Sequence, residues 1–218
     1  MSDFRFINSC PFDLREVEEG LGKMQRRKTA KEVEKENNIP KIRYLIIGFS
    51  PTSIPLKQRW RNSGLSADFL ADYLSTFFPS QEGDSVDRQA EIKDAVSYIA
   101  NELLENAMKF SHTESDYPVS IGLHLQHDLV RFYVTNSVDP TTVPGFKGFI
   151  QELLGEDPYE LYIRQLERNA EDDDTEGHSG LGFLTMMNDY DAKLAWKFET
   201  VKEEPKNVNV TTMVQLRI

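Results

Sequence analysis

Glu102, Asn106 and Lys109 are the residues of this sequence whose types and spacing bear most directly on chemistry. They lie in the run Ala100-Asn101-Glu102-Leu103-Leu104-Glu105-Asn106-Ala107-Met108-Lys109-Phe110. On a helix, Glu102 and Asn106 share a face, and Lys109 sits one position off the next turn. Leu103, Leu104, Ala107 and Phe110 supply the apolar stripe that buries the other side. A carboxylate can orient a nucleophile, an amide oxygen is a hard ligand for magnesium, and an ammonium meets a phosphate as a point charge. Together they suit a magnesium nucleotide. The same three residues also fit a surface helix whose polar face is only solvated. What separates the two readings is whether distant parts of the chain complete a pocket.

A second stretch with such capacity is Gly177-His178-Ser179-Gly180-Leu181-Gly182, which opens a predicted helix running to Tyr190. Its glycines permit backbone conformations and close approaches that side chains block. The helix behind it offers free N–H groups and a positive dipole end to an anion. Leu181 and Phe183 are expected to pack this turn onto the core. His178 either touches a phosphate or is a loop histidine without function. By itself a Gly-x-x-Gly-x-Gly pattern is weak, since flexible loops share it.

The elements that must position these groups follow from periodicity. The spacing predicts one long helix over residues 86–111, with Ser111, His112 and Thr113 at its polar end. Val119 to Leu125 and Leu129 to Thr135 alternate as strands, and Gln126-His127-Asp128 joins them as a hairpin. Residues 140–176 carry no strand pattern. They hold two helices, near Phe146 to Leu154 and Tyr159 to Asn169, and read as a lid. Within it Lys147, Arg164 and Arg168 either reach a phosphate or pair with nearby acids; the run Glu171 to Asp174 reads as a solvated hinge. Two last strands, near Lys193 to Val201 and Val208 to Ile218, turn at Pro205-Lys206-Asn207. Ahead of the long helix, residues 1–80 read as an N-terminal α/β extension that packs on the sheet or forms a dimer contact. It contains a short strand at Phe4 to Ile7, a helix over Phe12 to Thr29, a strand over Ile42 to Phe49 and a helix from Ser66, as N-cap, to Phe78.

Composition narrows the classes. A net charge of -11 over 218 residues argues against binding nucleic acid by phosphate neutralisation and favours protein or small-molecule partners. The single cysteine, Cys10, forms neither an intramolecular disulfide nor a cysteine zinc cluster. No apolar run approaches the roughly 20 residues of a membrane span. The start, Met1-Ser2-Asp3-Phe4-Arg5, has no signal-peptide pattern, so a cytoplasmic location is expected.

Glu102 to Phe110 resembles the N-box of the GHKL ATPase superfamily, which includes histidine kinases, gyrase B and anti-sigma-factor serine kinases. Gly177 to Gly182 resembles its second glycine box, and Thr211-Thr212-Met213-Val214-Gln215-Leu216 its closing strand. The order helix, hairpin, lid, glycine loop, helix, two strands is similar to the Bergerat nucleotide-binding fold. The resemblance covers about residues 81–218 and is strongest to bacterial anti-sigma-type and SiaB-type kinases. It implies an α+β fold: a Bergerat-type two-layer α/β sandwich with a mixed, largely antiparallel sheet. It also implies ATP and Mg2+ as cofactors. Glu102 would be the catalytic base and Asn106 the magnesium ligand. Asn106, Lys109, Asn136, Gly177, His178, Gly180, Leu181, Gly182 and Thr212 would line the nucleotide.

One box departs from the pattern. After the second hairpin strand the superfamily places Asp, with glycines two and four residues on; here stand Asn136, Val138 and Pro140. The Asn136 oxygen can still accept from the adenine amino group, but without a charged acceptor's strength. Pro140 stiffens the lid entrance. Weaker nucleotide binding is therefore expected. The four histidines are His112, His124, His127 and His178, so the first block holds no phosphoacceptor for a self-sufficient histidine kinase. The resemblance then implies a serine/threonine protein kinase acting on a small regulatory protein, an anti-sigma-factor antagonist or SiaC-like partner. A catalytically weak, nucleotide-dependent partner-binding module and a plain ATPase are the other readings.

Overall fold

The computed structural model describes residues 43–49, 56–77, 85–112, 114–126, 128–171, 180–203 and 206–218. The strand at Phe4 to Ile7, the helix over Phe12 to Thr29, Cys10, Gly177 and His178 lie outside the described residues.

Strand β1 (Arg43–Phe49) leads to helix α1 (Leu56–Ser75) and helix α2 (Ser85–Lys109). The hairpin β2 (Val119–Gln126) and β3 (Leu129–Val138) follows. Helices α3 (Val143–Gly155), α4 (Pro158–Glu171) and α5 (Gly182–Asp189) come next, then strands β4 (Lys193–Glu203) and β5 (Lys206–Arg217). The five strands form one sheet in the order β1-β2-β3-β5-β4.

Each of the four pairings is antiparallel, where the sequence reading allowed a mixed sheet. Connectivity explains this. A parallel neighbour needs a single crossover, whereas β1 and β2 are joined by two helices that run down and back. Contacts between α1 and α2 trace that reversal. Gln89 donates to the Ser75 carbonyl at 3.2 Å, Lys93 pairs with Asp72 at 2.6 Å, and Ser97 Oγ donates to Asp68 at 3.0 Å. Gly64 lies about one van der Waals contact from Asn101, where a Cβ would stand 4.0 Å from its Oδ1.

The start of α1 corrects a reading. Ser66 was expected to cap a helix, but the helix begins at Leu56 and Ser66 sits in its middle. Asn62-Ser63-Gly64 looks like a break in isolation. Packing against α2 overrides that weak local preference, and a glycine at the closest approach favours it.

The core lies between α1, α2 and α5 on one side and the inner sheet face on the other. Leu70, Leu74, Ile99, Leu104, Ile121 and Phe132 are fully buried there, with Met186 of α5 and Val214 of β5. Strand alternation assigns the faces. In register, Ile121, Val134, Thr212 and Trp196 run across the inner face, as do Leu123, Phe132, Val214 and Leu194. Helices α3 and α4 occupy the stretch read as a lid, and they are anchored: Leu153 and Leu161 join the main core. A smaller cluster of Val138, Val208 and Val210 packs against Val143, Phe146, Trp196 and Phe198. Strand β1 and helix α1, from the first block of the chain, belong to this same sheet and helix layer. No helix among the described residues is long and apolar enough to cross a membrane.

Candidate functional site

Helix α2 presents two faces. Val96, Ile99, Ala100, Leu103, Leu104 and Ala107 are buried. Glu102, Glu105, Asn106 and Lys109 are half-buried along another side, so the three residues singled out by spacing share a helix surface that is neither core nor open solvent. Asn101 holds Glu105 through a 2.9 Å bond from its Nδ2. The C-terminal end is fastened in two ways. Ser111 Oγ donates to the Ala107 carbonyl at 2.5 Å, and the His112 N–H donates to the Ser137 carbonyl at 3.0 Å. The second bond ties the end of α2 to β3 beside Asn136.

The glycine turn comes to this face. A methyl group added at Gly182 would collide with Glu102 Oε2 and stand 3.3 Å from its Cδ. The Glu102 carboxylate therefore lies directly against the first residue of α5. Leu181, in the N-cap position, provides no side-chain capping bond. The positive dipole end of the helix there favours a nearby anion. Gly180 needs glycine for another reason: its φ is +63°, a left-handed conformation costly for other residues. It also faces Gln165 of α4, whose Nε2 would be 3.2 Å from an added Cβ.

The electrostatics are those of partly desolvated groups. Burial pushes the Glu102 carboxyl above its ordinary range; Glu105 adds to the shift and Lys109 opposes it. Burial pulls the Lys109 ammonium down, against the attraction of Glu105 and Glu102. Both groups move toward their neutral forms, so desolvation outweighs their mutual attraction. Nearby, Tyr98 is raised by burial while a hydrogen bond from Thr185 of α5 lowers it, and its ring stacks on Tyr190 at 5.4 Å.

The other expected site residues take their places on the sheet. Asn136 and Thr212 are buried on the inner face, at neighbouring positions of β3 and β5. Asn136 Nδ2 donates to the Ser137 carbonyl at 3.0 Å, which fixes the amide plane. Phe183 packs edge-on against Trp196 at 5.5 Å, anchoring the turn as expected, and Trp196 Nε1 is buried without a hydrogen-bond partner. Thr212 pairs in register with Trp196. The structure thus joins Glu102 to Gly182 and aligns Glu102, Asn106 and Lys109; Asn136 and Thr212 form a second group on the sheet.

Of the lid cations, Arg164 pairs with Glu156 at 2.8 Å and Glu152 at 3.5 Å, the ion-pair alternative of the sequence reading. Lys147 sits 5.1 Å over the Phe198 ring. Sequence reasoning missed Tyr98, Thr185 and Gln165. Tyr98 was within reach, being four residues before Glu102 on the same stripe. Nothing local marks Thr185 or Gln165, whose roles come from packing across elements. Among the described residues, no cluster of three or more His, Cys, Asp or Glu could hold a metal ion.

No family model matches this sequence. No curated protein matches it either. Among solved structures, the fold is similar to a chain of the SiaB-SiaC complex from Pseudomonas aeruginosa, with a TM-score of 0.51 and 14% identity over 88% of this chain and 100% of that chain. At that identity the likeness is one of fold: an α+β chain with a five-stranded antiparallel sheet, similar to a component of the SiaB-SiaC complex.

Proposed function

We propose that this chain is a GHKL-type signalling protein that binds Mg-ATP and phosphorylates a serine or threonine of a small regulatory protein, an anti-sigma-factor antagonist or SiaC-like partner. The observation that supports it is the contact between Glu102 and Gly182, because it joins an acid on α2 to a glycine-led helix N-terminus far along the chain. A close approach at a glycine, beside a helix N-terminus, fits a phosphate chain. The fold's likeness to a component of the SiaB-SiaC complex fits a protein partner.

In this reading Asn106 holds magnesium through its amide oxygen, and Gly180 and Gly182 leave room for phosphate oxygens. Lys109 meets a phosphate, Thr212 lines the pocket, and Asn136 accepts from the adenine amino group. Gly177 and His178, outside the described residues, are assigned to the nucleotide by the resemblance alone. Mg-ATP, when bound, supplies the transferable phosphoryl group and the cation that neutralises it. The protein's part is to orient and to accept a proton. Glu102, with its raised proton affinity, takes the proton from the partner's hydroxyl, and the stack of Tyr98 on Tyr190 joins α2 to the end of α5.

The test is incubation with labelled ATP and a co-encoded small regulatory protein. Label on the partner, lost in Glu102→Ala while calorimetry still registers Mg-ATP binding, is the expected result. Absence of Mg-ATP binding to the parent protein refutes the reading. A second reading is favoured by Asn136, Val138 and Pro140, which stand where the superfamily has Asp and two glycines. It is a catalytically weak module that grips its partner in a nucleotide-dependent way. Tight complex formation without label transfer would select it.

A further inference from the structure

Helix α4 has two working faces. Leu161 is buried in the core, Tyr162 packs against it, and Gln165 abuts Gly180. On the other side Tyr159, Ile163 and Leu166 are 64%, 38% and 39% exposed. Their spacing of four and three places them on one stripe, and exposed Ala170 continues it. An ordinary surface helix turns charge outward there.

One edge of the stripe is acidic. Glu160 and Glu167 lie along that edge, Tyr162 and Asn169 along the other, and Glu156 and Asp157 are exposed at the N-terminal end. Asp157 Oδ1 accepts from the N–H groups of Tyr159 and Glu160 at 3.0 and 3.1 Å, which fixes the first turn. Arg164 is engaged mainly by Glu156, and Glu152 and Glu160 also feel its charge. Arg168 lies nearly opposite the stripe on the helical wheel. The sequence runs on as Glu171-Asp172-Asp173-Asp174.

We propose that this stripe is the docking surface for an amphipathic helix of a partner protein, with apolar residues facing Tyr159, Ile163 and Leu166 and lysines or arginines facing Glu160 and Glu167. An apolar line with one acidic edge selects its occupant by charge complementarity. A second copy of this chain, packed antiparallel, would set those acids against their own counterparts, and in neither orientation would it offer them a lysine or arginine from its own stripe. The proposal rests on the reading above only in taking the partner to be a protein. It adds which surface the partner grips and what it must carry. Because α4 touches Gly180 through Gln165, a partner seated here lies one helix away from Glu102.

The probe is a synthetic helical peptide with leucines along one face and lysines at its flanks, followed by fluorescence anisotropy. Its counterparts carry glutamates at the flanks, or scrambled leucines. The expected result is binding of the lysine-flanked peptide alone, weakened about tenfold or more by Ile163→Ser and by the pair Glu160→Lys, Glu167→Lys. Phe69→Ser, on the separate exposed patch of α1, leaves it unchanged. Equal binding of the glutamate peptide, loss in Phe69→Ser but not Ile163→Ser, or a protein dimer that Ile163→Ser dissolves would each overturn the proposal. Titration of the same variants with Mg-ATP is read separately: its failure in the parent protein removes the nucleotide reading and leaves the peptide result standing.

Discussion

Helix α2 meets α1 on one side and α5 on another, and the two interfaces treat their acids in opposite ways. Against α1, the carboxylates are Asp68 and Asp72, both exposed; Ser97 and Lys93 meet them at the rim, and the buried part is apolar. Against α5, the carboxylate is Glu102, half-buried, pressed onto a glycine and displaced toward its neutral form. The first arrangement asks little of its charges. The second keeps an acid where water is partly excluded, which folding alone does not favour. A half-buried, shifted acid beside a helix N-terminus is where function is to be sought.

The contrast can be broken most forcefully from the structural side. Leu70 is fully buried between α1 and α2. Leu70→Ala should cost about 2–5 kcal/mol in chemical denaturation, by lost transfer energy and residual cavity. None of the changes at the glycines or the carboxylate below should approach this. Next comes Gly180→Ala, where a left-handed residue acquires a side chain; it should cost roughly 1–2 kcal/mol and loosen α4 from the turn.

Gly182→Ala sharpens the comparison, because the atom in its way is the mobile end of a side chain. The fold should survive with little change in melting temperature, while the Glu102 carboxylate is pushed aside. Phosphoryl transfer should then fall more than Mg-ATP binding does; equal loss of both would mean that the glycine serves only to admit phosphate.

A smaller effect concerns pH. The folded state holds the Glu102 proton more tightly than the unfolded chain does. Its ionisation therefore lowers stability as pH rises through the raised folded pKa, and this penalty is absent below the ordinary carboxyl range. Glu102→Gln should raise stability at neutral pH, by less than about 1 kcal/mol because the group is partly solvated, and should leave it unchanged in acid, as read from melting temperatures at the two pH values. A loss of stability at neutral pH would contradict the assigned shift. Least of all should come from Lys93→Ala. It removes an exposed ion pair with Asp72, and no measurable change in melting temperature is expected.

Legibility in the sequence followed the range of the forces involved. Helix α2, the β2–β3 hairpin, α3, α4 and the β4–β5 pair were readable because hydrophobic period is a local property. The continuous α1 was not, since Asn62-Ser63-Gly64 is helical only through its partner. Glu102, Asn106 and Lys109 announced themselves by spacing. Thr185 and Gln165 carry no such signal, because each acts across a gap between elements.

By itself, then, the sequence determined which segments alternate, which faces of α2 are polar, and where glycines free the backbone. Only the tertiary structure decided that β5 lies between β3 and β4, that every strand pairing is antiparallel, and that Tyr159, Ile163 and Leu166 are left outside. It also decided that the carboxylate of Glu102 rests on Gly182. The reason is physical. Side-chain period is set by bonds a few residues apart, whereas the meeting of an acid and a glycine far along the chain depends on how whole layers close over a shared core.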